Sequence, residues 1–248
     1  MNAAFFGANW PLADMLFSFR ESNIAGKVIV LLLFAGSIYA WTIMVTKYLE
    51  LRRAGAATRR FLHTFRKQTD PLAIFLRQQK FDDSPLFAIY ENGCYSLGTE
   101  LEARGHTRDD LFSGHPDNDA HRLTPHQFEG IRNLTERNVA DQSLVMERRM
   151  GFLATAVNAS PFLGLLGTVW GVMEAFTAMA LVGQATLSAV APGIAAALLT
   201  TVMGLLVALP SAIGYNLLAG QISELQVQTS NFAKEFIDKI QTQFLLTR

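Results

Sequence analysis

The chain has 248 residues and no formal net charge; 50% of its residues are hydrophobic and 17% are charged. Soluble domains carry about 25% charged residues, so this composition favours a membrane protein. The balanced charge argues against a nucleic-acid-binding protein, which needs a basic face, and the apolar content excludes a disordered chain. The single cysteine, Cys94, excludes an internal disulfide framework and a cysteine-based zinc cluster.

Residues 1–23 are predicted to form an amphipathic arm on the periplasmic side. Pro11 suits the first turn of a helix, and apolar residues then recur at helical spacing on one face. These residues are Leu12, Met15, Leu16 and Phe19. We expect a short helix on the membrane surface, with a loosely ordered arm as the alternative.

Three apolar segments are predicted to cross a membrane, at residues 24–46, 151–182 and 187–220. About 20 apolar residues in a helix are enough to cross a hydrocarbon core of ~30 Å. From residue 151 to residue 223 the only formal charge is Glu174. The link at 183–186 is very short, so the second and third spans should form an antiparallel hairpin.

The charges that flank the spans predict the orientation. Arg20 is the only basic residue of the arm, whereas many basic residues follow the first span. Arg148 and Arg149 precede the second span. The basic residues after the first span are Lys47, Arg52, Arg53, Arg59, Arg60, Arg66 and Lys67. The positive-inside rule therefore predicts a periplasmic N-terminus, with residues 47–150 and 221–248 in the cytoplasm.

The cytoplasmic segment is predicted to be helical, and 221–248 to be a C-terminal helix. Gly, Pro, Asp and Asn make 105–123 loop-like. A helix should begin at Thr124-Pro125 and continue into the second span, because no helix breaker precedes Pro161. The earlier helices are expected at 47–68, 71–80 and 84–101. The resulting fold class is an all-α integral membrane protein whose long helices extend into the cytoplasm.

No motif predicts an enzyme, a cofactor or a metal site. The sequence contains no nucleophile motif, phosphate-binding glycine loop or dinucleotide fingerprint. Histidines and aspartates share the cytoplasmic segment but lack tight helical spacing, so solvated loop residues are favoured over metal ligands. They are His63, His106, His115, His121, His126, Asp109, Asp110, Asp117 and Asp119.

The second and third spans carry stripes of small residues, which let membrane helices approach closely. The stripes include Gly164, Gly167 and Gly171 in the second span and Gly193 and Gly204 in the third. Pro161 and Pro192 also lie within the spans, and each frees a backbone carbonyl that a neighbouring helix or water must satisfy.

Thr168 and Thr201 are each about 14 residues, or ~20 Å, from the outer ends of their spans. Two hydroxyls at one depth are typical of a polar pore lining. The alternative is that each hydroxyl bonds to a carbonyl one turn earlier. Glu174 is a functional candidate, because ionisable residues in membranes are costly. It should lie near the outer end of its span, where an interfacial carboxylate in contact with water is the alternative.

The span sequences resemble the TolQ/ExbB/MotA family of proton-channel motor subunits. The resemblance rests on SPFLGLLGTVWGVMEAF at 160–176, on VAPGIAAALLTTVMGLLVALPSAIGYN at 190–216 and, more weakly, on SIYAWTIMV at 37–45. The tail motif NFAKEF at 231–236 is similar to the TolQ branch, with ExbB next. The flagellar MotA branch, which implies a stator, is a poorer match.

The resemblance implies a ring of five copies in the bacterial inner membrane, around a dimer of a single-span partner of the TolR/ExbD kind. The partner supplies a membrane aspartate, and the ring threonines that face it match Thr168 and Thr201. Proton flow then drives work on the cell envelope through a TolA-like or TonB-like protein.

One position departs from the family pattern. TolQ and ExbB usually read GIAEAL in the third span, whereas this chain reads GIAAAL, with Ala196 in place of the glutamate. The substitution removes an ionisable group and leaves a non-conducting membrane scaffold as a second hypothesis. Glu174 occupies a position where the family has His or Asn.

Overall fold

The computed structural model describes residues 23–102, 123–182 and 187–244. These residues form six α-helices and no β-strand. Three helices are long and apolar enough to cross a membrane, which confirms the predicted all-α membrane fold. The helices are α1 (Ile24–Lys67), α2 (Ala73–Leu76), α3 (Pro85–Glu102), α4 (Pro125–Glu147), α5 (Met150–Val182) and α6 (Leu187–Phe244).

The described residues divide into two compact units. The apolar unit contains residues 23–46, 149–182 and 187–217, and the polar unit contains residues 47–102, 123–148 and 218–244. The predicted arm lies outside the described residues except for Asn23, and the predicted loop at 105–123 lies outside them except for Leu123.

In the apolar unit, the first span packs on the third through Ile29, Leu33 and Val207, all of which are buried. Large apolar side chains cover the outside of this unit; Trp41 and Trp170 are each about half exposed. A water-soluble protein rarely exposes a contiguous apolar surface of this kind. Lipid or other protein chains must therefore surround the unit.

The polar unit has an aromatic core centred on Phe61. Its ring is fully buried and lies 5.2 Å from Phe232 and 5.5 Å from Tyr90, measured between ring centroids. Burial raises the pKa of Tyr90, whose hydroxyl accepts a hydrogen bond from the backbone N–H of Phe75 at 3.0 Å. Burial also raises the pKa of the Cys94 thiol, so both groups are held in the neutral form.

Helix α4 begins where the sequence predicts. The Thr124 hydroxyl accepts a hydrogen bond from the Gln127 N–H, and the Gln127 side chain accepts one from the Thr124 N–H at 3.1 Å. Pro125 occupies the first turn, where its missing N–H has no consequence. This capping box satisfies backbone donors that the start of a helix leaves free.

The predicted continuation of α4 into the second span is wrong. The helix ends at Glu147, and Arg149 adopts a left-handed conformation with φ 73° before α5 begins at Met150. The Val145 carbonyl accepts hydrogen bonds from the Arg148 N–H at 3.3 Å and from Lys47 Nζ at 3.5 Å. A buried lysine and a tight terminal turn therefore bond to one of the carbonyls that the end of this helix leaves free.

Two other helix boundaries differ from the sequence prediction. The helix expected at 71–80 is only the single turn α2, and Gln78 follows it with a left-handed φ of 53°. In contrast, the described residues of the segments predicted at 187–220 and 221–248 form one helix, α6, of 58 residues. Neither Pro192 nor Pro210 ends this helix.

Candidate functional site

Helices α5 and α6 approach each other at backbone contact. A Cβ atom built on Gly164 would lie 2.8 Å from the Thr200 carbonyl oxygen, and one built on Gly204 would lie 2.6 Å from the Ser160 carbonyl oxygen. A Cβ on Gly171 would lie 2.7 Å from the Ala197 Cβ. All three distances are shorter than a normal carbon contact of about 3.5–4.0 Å, so only glycine fits at these positions.

The same close contact extends along the small-residue stripes. A Cβ on Gly167 would lie 2.6 Å from the Thr200 hydroxyl oxygen, and one on Gly193 would lie 3.1 Å from the Ala175 Cβ. The five glycines that the sequence singles out therefore all lie along the α5–α6 contact. Their common role in the described chain is to let two membrane helices touch.

Thr168 and Thr201 meet at the centre of this contact. Their Oγ1 atoms are 2.5 Å apart. Thr168 Oγ1 also lies 3.0 Å from the Ala197 carbonyl oxygen, and Thr201 Oγ1 lies 3.3 Å from the Gly164 carbonyl oxygen. The structure thus joins α5 and α6 by hydrogen bonds between hydroxyls and opposing carbonyls. Both threonines are partly buried.

Thr168 makes the local bond that the sequence analysis gave as the alternative to pore lining. Thr168 Oγ1 lies 3.2 Å from the carbonyl oxygen of Gly164, one turn earlier in its own helix. It therefore makes the local contact that mid-helix threonines often make and the contact with α6 as well. By comparison, Thr177 Oγ1 donates to the Met173 carbonyl at 2.9 Å, and no bond from it to α6 is recorded in the described chain.

Thr200 is a member of this cluster that the sequence analysis missed. Its side chain is 1% exposed, and its Oγ1 lies 2.9 Å from the Gly164 carbonyl oxygen and 2.7 Å from the Ala197 carbonyl oxygen. The signal was available, because Thr200 lies three residues after Ala197 and four before Gly204, on the same helix face.

Glu174 does not join the hydroxyl cluster. It is exposed, and its carboxylate accepts a hydrogen bond from the Asn23 side-chain amide. Asn23 Oδ1 in turn accepts from the Gly26 N–H at 2.6 Å, which caps the start of α1. Six helical residues separate Glu174 from Thr168, a rise of about 9 Å. The carboxylate therefore lies at the end of the apolar unit where α1 begins.

Pro161 and Pro192 lie inside α5 and α6. Pro161 precedes Gly164 by one turn and is partly buried, whereas Pro192 is exposed and precedes Ala196 by one turn. Each proline removes one backbone N–H from its helix. Ala196 is 2% exposed, and its methyl side chain brings no carboxylate to this depth of α6.

The cluster consists of three hydroxyls and two carbonyls, with no charged group among them. Such a cluster can donate, accept and reorient hydrogen bonds, but it cannot supply a titrating acid or a nucleophile activated by a base. In the described part of the chain, no group of three or more His, Cys, Asp or Glu side chains is arranged to hold a metal ion.

The fold defines the class of protein. Three helices of sufficient length and apolarity, two of them locked together by glycine contacts and hydroxyl hydrogen bonds, make this an all-α integral membrane protein with several spans. The hydroxyls of Thr168, Thr200 and Thr201 bond to one another and to backbone carbonyls, as the low dielectric of a membrane requires.

Comparisons with known proteins identify the family. Residues 113–231 match the MotA/TolQ/ExbB proton channel family. The chain is 47% identical to the Tol-Pal system protein TolQ of Haemophilus influenzae over 91 residues, which are 37% of this chain and 40% of that protein. It is 30% identical to the biopolymer transport protein ExbB of Salmonella typhimurium over 223 residues, 88% of this chain and 83% of that protein.

A second TolQ, from Pseudomonas aeruginosa, is 30% identical over 219 residues, 87% of each chain. The chain therefore belongs to the MotA/TolQ/ExbB proton channel family. It is a TolQ/ExbB-type membrane subunit of the inner membrane with several spans.

Proposed function

We propose that this protein is the ring-forming subunit of a proton-driven motor that performs work on the cell envelope through a Tol-Pal type system. The observation that carries the proposal is the Thr168–Thr201 hydroxyl pair at the glycine-lined contact of two membrane helices. One elementary charge that crosses 100 mV releases about 2.3 kcal/mol. A few protons per cycle are therefore enough for a mechanical step of several kcal/mol.

A second protein must supply the titrating group. In the two spans that build the site, Glu174 is the only charged residue, and it contacts Asn23 at the end of the apolar unit. Since Ala196 replaces the family glutamate, the ring offers hydroxyls but no acid near Thr168. We therefore propose a single-span TolR/ExbD-like partner with a membrane aspartate, enclosed by five copies of this chain, and a TolA-like or TonB-like protein downstream.

The proposed orientation has a periplasmic N-terminus and a cytoplasmic polar unit. Seen along the axis of α1, the basic residues that follow the span occupy an arc of about 140°, at 100° per residue. These exposed residues are Arg52, Arg53, Arg59, Arg60, Arg66 and Lys67. A basic face of this kind resists transfer across the membrane. Lys47, which the sequence analysis counted with them, is buried against Glu50.

Proton flux in liposomes tests the proposal. The protein and its single-span partner are reconstituted together, and flux is measured under a membrane potential. Thr168→Val and Thr201→Val should abolish flux while ring assembly, measured by native mass, is retained. Thr177→Val is the matched control, because that threonine lies in the same helix and, among the described residues, donates to the Met173 carbonyl of its own helix. Wild-type flux in both pore variants would refute the assignment.

A strain-complementation experiment separates the two candidate loads. The stronger local identity to TolQ, 47% over 91 residues, supports the Tol-Pal role over ExbB-type energising of TonB-dependent outer-membrane transport. The gene should restore detergent resistance to a strain without TolQ. Restoration of TonB-dependent uptake alone, in a strain without ExbB, would reverse the choice.

A non-conducting scaffold is the second candidate, and Ala196 is the observation that favours it. A buried alanine at the position of the family glutamate removes a ring-borne proton acceptor. The same liposomes distinguish the two functions. A flux that requires both proteins and the partner's aspartate excludes the scaffold, whereas no flux in an assembled complex with that aspartate supports it.

A further inference from the structure

Thr200 is the most buried hydroxyl of the α5–α6 cluster. Its Oγ1 has two carbonyl oxygens within reach, that of Gly164 at 2.9 Å and that of Ala197 at 2.7 Å. A hydroxyl has one proton and can donate to only one of them at a time. Gly167 faces this hydroxyl, and a Cβ there would lie 2.6 Å from it. The missing side chain leaves the space that Thr200 fills.

The cluster can satisfy its hydrogen bonds in a first arrangement. Thr201 donates to Thr168 across 2.5 Å, and Thr168 donates to the Ala197 carbonyl across 3.0 Å. Thr200 then donates to the Gly164 carbonyl across 2.9 Å. Every hydroxyl donates once, and each of the two carbonyls receives one hydroxyl.

A second arrangement reverses the Thr168–Thr201 bond and exchanges the donors to the two carbonyls without moving a heavy atom. Thr168 now donates to Thr201 across 2.5 Å, and Thr201 donates to the Gly164 carbonyl across 3.3 Å. Thr200 donates to the Ala197 carbonyl across 2.7 Å. Again every hydroxyl donates once, and each carbonyl receives one hydroxyl.

The two arrangements differ only by rotation about three Cβ–Oγ bonds, so no O–H bond breaks and no proton changes its oxygen. A chain of hydroxyls that has passed a proton is left with reversed polarity and must turn before it can pass the next one. Thr200 keeps a hydroxyl donor on both carbonyls through this turn. It donates to the Ala197 carbonyl once Thr168 no longer does, and it releases the Gly164 carbonyl, to which Thr201 then donates.

We propose that Thr200 is a positioning residue that allows the Thr168–Thr201 pair to reverse its hydrogen-bond polarity between successive proton transfers. This inference rests on the proposed function, because it assumes that protons pass this pair. It adds a residue that need not touch the transferred proton. Without the Thr200 hydroxyl, the Gly164 carbonyl has no hydroxyl donor before the turn, and the Ala197 carbonyl has none after it.

Valine and serine at position 200 separate a role of the hydroxyl from a role in packing. Thr200→Val keeps the shape of the side chain and loses the hydroxyl, whereas Thr200→Ser keeps the hydroxyl. We expect Thr200→Val to lower partner-dependent flux about five-fold, the effect of one lost hydrogen bond on a rate. The ratio of flux in H₂O to flux in D₂O should fall towards one, since hydroxyl reorientation, which breaks no O–H bond, becomes limiting, and Thr200→Ser should restore both values.

The controls distinguish the possible failures. If Thr168→Val and Thr201→Val conduct normally, the proposed function itself fails. If those two variants are inactive but Thr200→Val has wild-type flux and a wild-type isotope ratio, only the role of Thr200 is refuted. If Thr200→Val does not assemble, Thr200→Ala and Thr200→Ser are compared. Equal flux in that pair overturns the inference, and loss in alanine alone supports it.

Discussion

Replacing Gly164 by alanine places a methyl group against the backbone of the neighbouring helix. The new carbon would lie 2.8 Å from the Thr200 carbonyl oxygen, 3.0 Å from the Thr201 Cα and 3.3 Å from the Gly204 Cα. All three are backbone atoms, so no side chain can rotate away. The helices must separate by roughly 0.5–1 Å to reach normal contact distances, which also lengthens the hydrogen bonds between them.

The expected loss of stability follows from these contacts. Overpacking of this kind costs about 1–3 kcal/mol, and one weakened interhelical hydrogen bond adds about 1 kcal/mol. Gly36→Ala is the matched control, since Gly36 lies in another span and a Cβ there has no atom within 4 Å. Both variants gain the same helix propensity of about 1 kcal/mol. Gly164→Ala should therefore be less stable than Gly36→Ala by about 2–4 kcal/mol.

Unfolding in mixed detergent micelles, followed by circular dichroism, measures this difference. The reasoning requires the two alanine variants to unfold at clearly different denaturant concentrations. Equal stability to within about 0.5 kcal/mol, the spread expected for substitutions without contacts, would mean that the α5–α6 contact is not as tight as described.

Three further outcomes concern the polar unit. Phe232→Ala should lower the stability of the polar unit by about 3–5 kcal/mol, because the ring is 1% exposed and packs on Phe61. Val227→Ala, at an exposed position, should change this stability little. Proteolysis measures the difference, and similar rates for the two variants would contradict the expectation. Because burial raises the pKa of Cys94, the unfolded thiol ionises first, near pH 8.5, so stability should fall as pH rises above that value. Cys94→Ala should flatten this fall in a pH series of melting curves, and an unchanged slope would exclude the thiol as its cause. Thr124→Ala should cost about 1 kcal/mol through loss of the helix cap, measured as faster amide exchange at the start of α4, and unchanged exchange there would count against the cap.

The sequence was sufficient to predict three apolar helices and several of the residues that meet between the second and the third. A pattern of small residues at helical spacing fixes which faces of α5 and α6 can touch, and a constant rise per residue fixes the relative depth of Thr168 and Thr201. These are local quantities that need no knowledge of the rest of the fold. Thr200 was missed because the search followed one stripe of small residues and did not extend to its neighbour on the same face.

The end of α4 could not be read from the sequence in this way. It depends on Lys47, which lies about 100 residues away in the chain and donates to the Val145 carbonyl from a buried position. Arg149 has no glycine-like signal, although its backbone is left-handed. Contacts that are distant in sequence decide such boundaries, and periodicity carries no information about them.

The distribution of tryptophan makes the apolar unit observable by fluorescence. Trp41 and Trp170, both in the apolar unit, are about half exposed, whereas the polar unit contains no tryptophan in its described residues. Emission from the indoles at these positions therefore reports the surroundings of the spans. Lipids with bromine at known carbons of the acyl chain quench nearby indoles, so the immersion of each face can be mapped without a foreign dye.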